Sequence, residues 1–181
     1  MRQAVAGLTR IIGANRVGKR LFFVWLEPSW CPGDKVVVVR LDDYVSLGIL
    51  LSQFHSFWAW TFSSTLKADL NYTPTSAFET FPWPRPTDEQ RERVAKAAQA
   101  VISSRQLTCA EREIGLTRLY NDVDDGAYRD LKQLHVELDE AVAAAYGWPA
   151  SAAHDTNDAN RRLLELNRAI AAGEIDYDPF P

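Results

Sequence analysis

The chain has 181 residues, 46% of them hydrophobic and 24% charged, with a net charge of −4. That composition excludes disordered, collagenous and disulfide-scaffold classes and leaves room for one domain or two small ones sharing an interface. The two cysteines, Cys31 and Cys109, stand far apart in no CxxC or Cys/His cluster, which fits free thiols in a reducing cytoplasm. Charge is unevenly placed: residues 1–40 hold seven Lys/Arg against two Asp/Glu, whereas residues 86–181 hold 11 against 18. Such asymmetry is expected when one end of a chain meets phosphates and the other does not, although basic stretches also serve as plain solvated surface.

In chain order, Met1 to Lys19 lacks the continuous apolar core of a secretory signal, which places the protein inside the cell. Thr9–Gly13 reads as a short strand ending in a turn over Gly13–Gly18. Leu21–Leu26 and Val36–Val39 are β-branched and aromatic runs, expected as buried strands around the turn-rich loop Glu27–Asp34. Gly13-Ala-Asn-Arg-Val-Gly-Lys-Arg20 lies one residue from a phosphate-binding G-x-x-x-x-G-K-[ST] loop. Arg20 replaces the hydroxyl that would hold magnesium, and a strand rather than a helix follows, so a phosphate-handling enzyme built on this loop stands only as the last of three readings. From the residues alone, Arg16, Lys19 and Arg20 make an exposed basic turn; facing a duplex, they would suit phosphates or guanine edges.

A helix is expected from Asp43 to Thr61, capped by Asp42 or Asp43, with Tyr44, Leu47, Leu51, Phe54 and Trp58 on one face. Ile49, Leu50 and Phe57 widen that face, so the helix should be heavily buried. Ser52, Gln53, His55 and Ser56 interrupt its apolar run and exclude a membrane span. A polar turn, Ser63-Ser64-Thr65, leads to a basic and amide patch of Lys67, Asn71 and Tyr72. Phe81-Pro-Trp-Pro-Arg-Pro86 cannot continue a helix or a central strand and marks a boundary, its aromatic rings packing back on the core.

Beyond Pro86 the pattern turns helical. Thr87-Asp-Glu-Gln90 is a capping box for a helix to about Ser103, with Val94, Ala97, Ala98 and Val101 inward. Thr108-Cys-Ala-Glu111 repeats that device before a short helix through Leu116 and Leu119. Asp124-Asp125-Gly126 introduces the longest helix, Ala127 to about Tyr146, with Leu131, Leu134, Leu138, Val142 and Ala145 in a stripe. Asp155–Asp158 caps a last helix carrying Leu163, Leu166 and Ile170 and ended by Gly173. The fold class expected is therefore α+β: a small mixed α/β unit over residues 1–86, then an all-α segment over 87–181.

Few constellations suggest chemistry. His55, His135 and His154 have no ligand spacing around them and read as structural rather than metal-binding. Asp122, Asp124 and Asp125 lack a calcium-loop continuation, and Glu137, Asp139 and Glu140 read as a solvated helix edge. Of the six tryptophans, Trp25, Trp58 and Trp60 suit a core, and Trp30 in its Pro/Gly loop is the candidate for exposure.

Two stretches resemble a known family. Gly48-Ile-Leu-Leu-Ser-Gln-Phe-His-Ser-Phe-Trp58, with Asn71-Tyr-Thr-Pro-Thr-Ser-Ala-Phe-Glu-Thr-Phe-Pro-Trp-Pro84, is similar to part of the target-recognition region of MmeI-like (type IIL/IIG) restriction–modification DNA adenine methyltransferases. There the pattern is G-x-L-x-S-x-x-H-x-x-W followed by R/N-Y-(S/T)-x-x-x-x-(F/Y)-x-T-F-P-(F/W)-P; asparagine stands at 71 where arginine is common. Arg16–Phe23 and Asp34–Val37 resemble the family's preceding strands. Leu116–Asn121 and Leu134–Trp148 resemble its C-terminal helical segment. The resemblance implies a module that reads double-stranded DNA, with Arg16, Lys19, Arg20, Lys67, Asn71 and Tyr72 as candidate contacts.

It also implies a partner catalytic domain or subunit holding S-adenosylmethionine, because neither a cofactor-binding glycine loop nor an (N/D)-P-P-(Y/F) tetrapeptide is present. Asp178-Pro-Phe-Pro181 has one proline before its aromatic residue and no strand before it, and is rejected as that motif. No catalytic, cofactor or metal site is therefore expected in this chain. The alternative is a helical interaction subunit that docks on a larger methyltransferase, or another partner, without touching DNA.

Overall fold

The computed structural model describes residues 7–30 and 32–178. Cys31 and the last three residues of the Asp178–Pro181 sequence lie outside them. Strand β1 (Ile11–Asn15) is the centre of an antiparallel sheet, flanked by β3 (Phe23–Leu26) and β4 (Val36–Val39). Ile12 stands opposite both Trp25 and Val39. The turn expected over Gly13–Gly18 is instead sheet: β1 runs on through Asn15, and β2 (Val17–Gly18) follows at once. A Cβ at Gly13 would lie 2.3 Å from Leu26 Cδ1, so the glycine makes room for that side chain within the sheet.

A second, unforeseen sheet has the order β2-β6-β5, from a hairpin of β5 (Ser64–Leu66) and β6 (Asp69–Asn71). Lys67 turns the hairpin with φ of 59°. The Ser63–Thr65 turn expected from the sequence is thus largely a strand.

The long helix is two. α1 (Tyr44–Leu51) is capped by Asp43, whose carboxylate accepts from the Ser46 N–H, and α2 (Gln53–Phe62) follows after Ser52, which is extended with ψ of 158°. The break is stabilised from both sides. Ser52 Oγ donates to Ile49 O at 2.6 Å, and the Asp139 carboxylate, from a helix 86 residues away, accepts the Gln53 N–H at 2.8 Å. A single helical turn, α3 (Pro74–Ala77), then leads to Phe81–Pro84, all four residues buried as expected.

The helical half comprises α4 (Asp88–Arg112), α5 (Leu116–Asp124), α6 (Arg129–Ala145), a 3₁₀ turn (Ala150–Ala153) and α7 (Thr156–Ala171). The Thr87–Gln90 capping box is present. α4 is nevertheless longer than expected, because nothing between Ser103 and Thr108 breaks a helix, and Thr108 is interior rather than a cap. It stops where Glu113 turns left-handed, with φ of 54°. Asp125 ends α5 instead of starting α6, which begins only after left-handed Tyr128. Asp155 caps α7 through the Asn157 and Asp158 N–H groups, and Gly173, at φ of 71°, follows its end.

The architecture is α+β, and one core crosses residue 86: Leu47, Leu50, Phe54, Trp58, Val94, Val101, Leu138 and Val142 are contiguous and buried. α1 and α4 cross closely at Gly48, where a Cβ would lie 2.9 Å from Val94 Cγ1, 3.1 Å from the Ala98 Cβ and 3.3 Å from Leu138 Cδ1. Gly48→Val should therefore cost about 2–3 kcal/mol by overpacking. Urea denaturation measures it, and a change below about 0.5 kcal/mol would contradict the close crossing.

Candidate functional site

The small sheet gathers most of the residues singled out by the sequence. Val17 pairs with Asn71, and Asn71 with Ser64; one step along, Gly18 pairs with Leu70, and Leu70 with Thr65. Side chains alternate between faces, and Leu70 is fully buried, so the Val17–Asn71–Ser64 row points away from the core. The register carries Asp69 and Leu66 onto that same outer side, and Lys19 follows β2 as an exposed residue. Lys67 sits at the hairpin tip, exposed like the whole of β5.

Arg16 enters β2 with its Nε donating to Asp34 O at 2.8 Å and its backbone N–H to Lys35 O at 2.8 Å. These bonds tie the loop that bears Trp30 to the edge of the small sheet, and Trp30 is 59% exposed. Among the described residues no carboxylate pairs with Arg16, Lys19 or Lys67. The sheet thus presents two exposed cations, Lys19 and Lys67, and an amide, with the half-buried Arg16 tied to the Asp34 carbonyl beside them.

Two candidates behave differently. Tyr72 is fully buried and cannot meet a ligand. Its hydroxyl shares a 2.8 Å hydrogen bond with His55 Nε2, its N–H donates to Arg16 O, and its ring packs edge-on against Phe23. The alternation that turns Asn71 outward turns Tyr72 inward. Arg20 is committed to the helical half: Nη2 bonds both Asp124 oxygens, at 2.6 and 2.9 Å, and the guanidinium lies 4.9 Å from the Tyr120 ring centroid. Asp124, expected as a helix cap, is its counter-ion.

Behind Arg20 lies a polar cluster that the sequence did not announce. Arg105, only 5% exposed, donates from Nε to the Tyr120 hydroxyl at 2.5 Å and from Nη1 to Phe23 O at 3.3 Å. The same hydroxyl shares a 2.5 Å bond with His135 Nε2. Burial, aided by the charges of Arg105 and Arg20, lowers His135 to about 3. Burial alone lowers His55 to about 3. Asp139 is pushed up to about 7 by burial against the opposing Gln53 N–H bond, so it is not the solvated edge expected of it. No sequence pattern could have paired Arg105 with Tyr120 or Asp139 with Gln53, because each contact depends on how the helices cross.

Between β2 and α5 the surface forms a polar cleft of about 620 Å³, with Asn15, Lys19, Asp69, Tyr120 and Asp124 among its walls. Among the described residues no group of three or more His, Cys, Asp or Glu could hold a metal, and no helix is long and apolar enough to cross a membrane.

Comparison with known proteins places this geometry. Residues 20–85 match the family model described as "MmeI, target recognition domain". The chain is 30% identical over 111 residues, 61% of its length, to DNA methyltransferase A of Bacillus subtilis (strain 168). Its fold matches the solved structure of the type IIL restriction–modification enzyme MmeI in complex with DNA, with a TM-score of 0.75 over 91% of this chain at 18% identity. The chain spans 12% of the length of the first relative and 22% of the second. Residues 20–85 thus form an MmeI-like target recognition domain, built into an MmeI-like α+β fold that continues through the C-terminal helices.

Proposed function

We infer that this chain reads DNA sequence for an S-adenosylmethionine-dependent adenine methyltransferase of a restriction–modification system. The observation that carries the reading is the exposed β2-β6-β5 sheet, bordered by Lys19 and Lys67, whose β5–β6 hairpin lies within the family match. Methyl transfer belongs to a catalytic domain outside the described residues. Those residues offer no strand–glycine loop–helix cradle for the cofactor, since Gly13 is packed in a strand and Gly18 pairs with Leu70. The role of this chain is to bind, orient and select the duplex. Lys19 and Lys67, exposed and without a carboxylate partner, suit phosphates, which supply most of the affinity and none of the sequence information.

Duplex binding, followed by fluorescence anisotropy, should weaken steeply as salt rises. Lys19→Ala and Lys67→Ala should each weaken it several-fold on any sequence and reduce the salt slope by about one. Absence of salt-dependent binding at low ionic strength, alone and with the matching catalytic subunit, would overturn the reading. The alternative, docking through the helical half, finds little support. Of the large apolar residues Trp30, Trp60, Leu66 and Leu107 exposed among the described residues, only Leu107 lies in that half.

A further inference from the structure

Asn71 sits in the middle strand of the small sheet, in the row that faces outward, flanked by Val17 and Ser64. The side chain is held by a cross-strand neighbour. Asn71 Nδ2 donates to Ser64 Oγ at 2.9 Å. The Ser64 hydroxyl in turn donates to the Asn71 carbonyl oxygen at 3.5 Å, a long bond that still directs its proton away from the amide. In this arrangement Oγ accepts from Nδ2 and leaves Oδ1 open on the outer face. Thr73 Oγ1, donating to the same carbonyl at 3.0 Å, holds the backbone in place.

Once Ser64 has taken one amide proton, Asn71 presents one remaining N–H and the Oδ1 acceptor. On the major-groove side adenine offers the complement, an N7 acceptor beside an N6 amino donor. Guanine offers two acceptors, so its O6 would face Oδ1. Cytosine and thymine each satisfy only one of the two groups.

We propose that Asn71, oriented by Ser64, is a base-reading residue of this chain and selects adenine through the major groove. This rests on the DNA-reading function above and adds to it a residue, a groove edge and a base. Asn71 touches the base, Ser64 positions it, and Lys19 and Lys67 supply contacts indifferent to sequence.

The test is selection from randomised duplexes by the wild-type chain and by Asn71→Ala, Asn71→Asp and Ser64→Ala, each checked for an unchanged thermal midpoint. Wild type should enrich a motif with adenine at one position, favoured about tenfold or more over guanine. Asn71→Ala should erase the preference at that position alone. Asn71→Asp, with two acceptors, should move it to cytosine, whose N4 group is a donor. Ser64→Ala frees the amide to flip and should narrow the gap between adenine and guanine. An identical motif from wild type and Asn71→Ala would overturn the proposal while leaving DNA reading intact; binding without any sequence preference would overturn both. Absence of binding to any duplex would overturn both.

Discussion

Arg105→Ala should lower stability by about 3 kcal/mol in urea denaturation, among the largest effects available to a polar residue in this chain. The guanidinium is buried among Phe23, Tyr120 and α4, and it carries two hydrogen bonds and a ring contact 4.9 Å from the Tyr120 centroid. Truncation leaves a cavity and removes the donors from a phenol oxygen and a strand carbonyl, both away from water. Arg105→Met keeps most of the volume and should recover part of the loss, separating packing from hydrogen bonding. The substitution also removes a charge that helps depress His135. NMR titration should then find that histidine closer to its ordinary value near 6.5. A loss under about 1 kcal/mol, with His135 unmoved, would contradict the role assigned to Arg105.

Acidification below pH 6.5 should destabilise the fold. His55 and His135 are held neutral down to about pH 3 in the folded chain, whereas in the unfolded chain they protonate near 6.5. The unfolded state therefore binds more protons between those values, and each histidine costs about 1.4 kcal/mol per pH unit as pH falls below 6.5. Asp139 acts in the opposite sense. Its folded value of about 7 lies above the ordinary carboxylate value of 3.8, so its contribution is present at low pH and is lost as pH rises toward 7.

Between pH 6.5 and 4 the net slope from these three groups is about 1.4 kcal/mol per pH unit; in Asp139→Asn it should double to about 2.7. The asparagine keeps an acceptor for the Gln53 N–H, and it should be more stable than wild type at pH 8. Chemical denaturation at stepped pH measures both slopes. Parallel curves for the two proteins would show that Asp139 does not titrate as its burial demands.

Features with local causes were legible in the sequence. The Asp43 cap, the Thr87–Gln90 box, the β-branched run of Val36–Val39 and the buried Phe81–Trp83 corner each depend on neighbours within a few residues. What was missed depends on distant partners. The Ser52 break looks like continuous helix in sequence because the carboxylate that caps its second half belongs to α6. Three-residue strands are too short to show alternation, which hid both the hairpin and the inward direction of Tyr72. Arg16, Lys19, Lys67 and Asn71 come together on the small sheet, whereas Arg20 turns toward Asp124, a partner more than a hundred residues away. Composition announced the change of character near residue 86, yet the packing does not respect it, since Gly48 brings α1 onto α4 and α6.

The Asp139 cap bears on how such a reader could be re-engineered. α2 runs directly into the hairpin that carries Ser64 and Asn71, and α2 is aimed by a group on α6. A transplant confined to residues 20–85 would move the hairpin that carries Asn71 without the bracket that sets its angle. Exchange of sequence preference between relatives should therefore succeed with a graft that extends through Ala145, or with single outward-facing replacements at 64 and 71 on an intact frame.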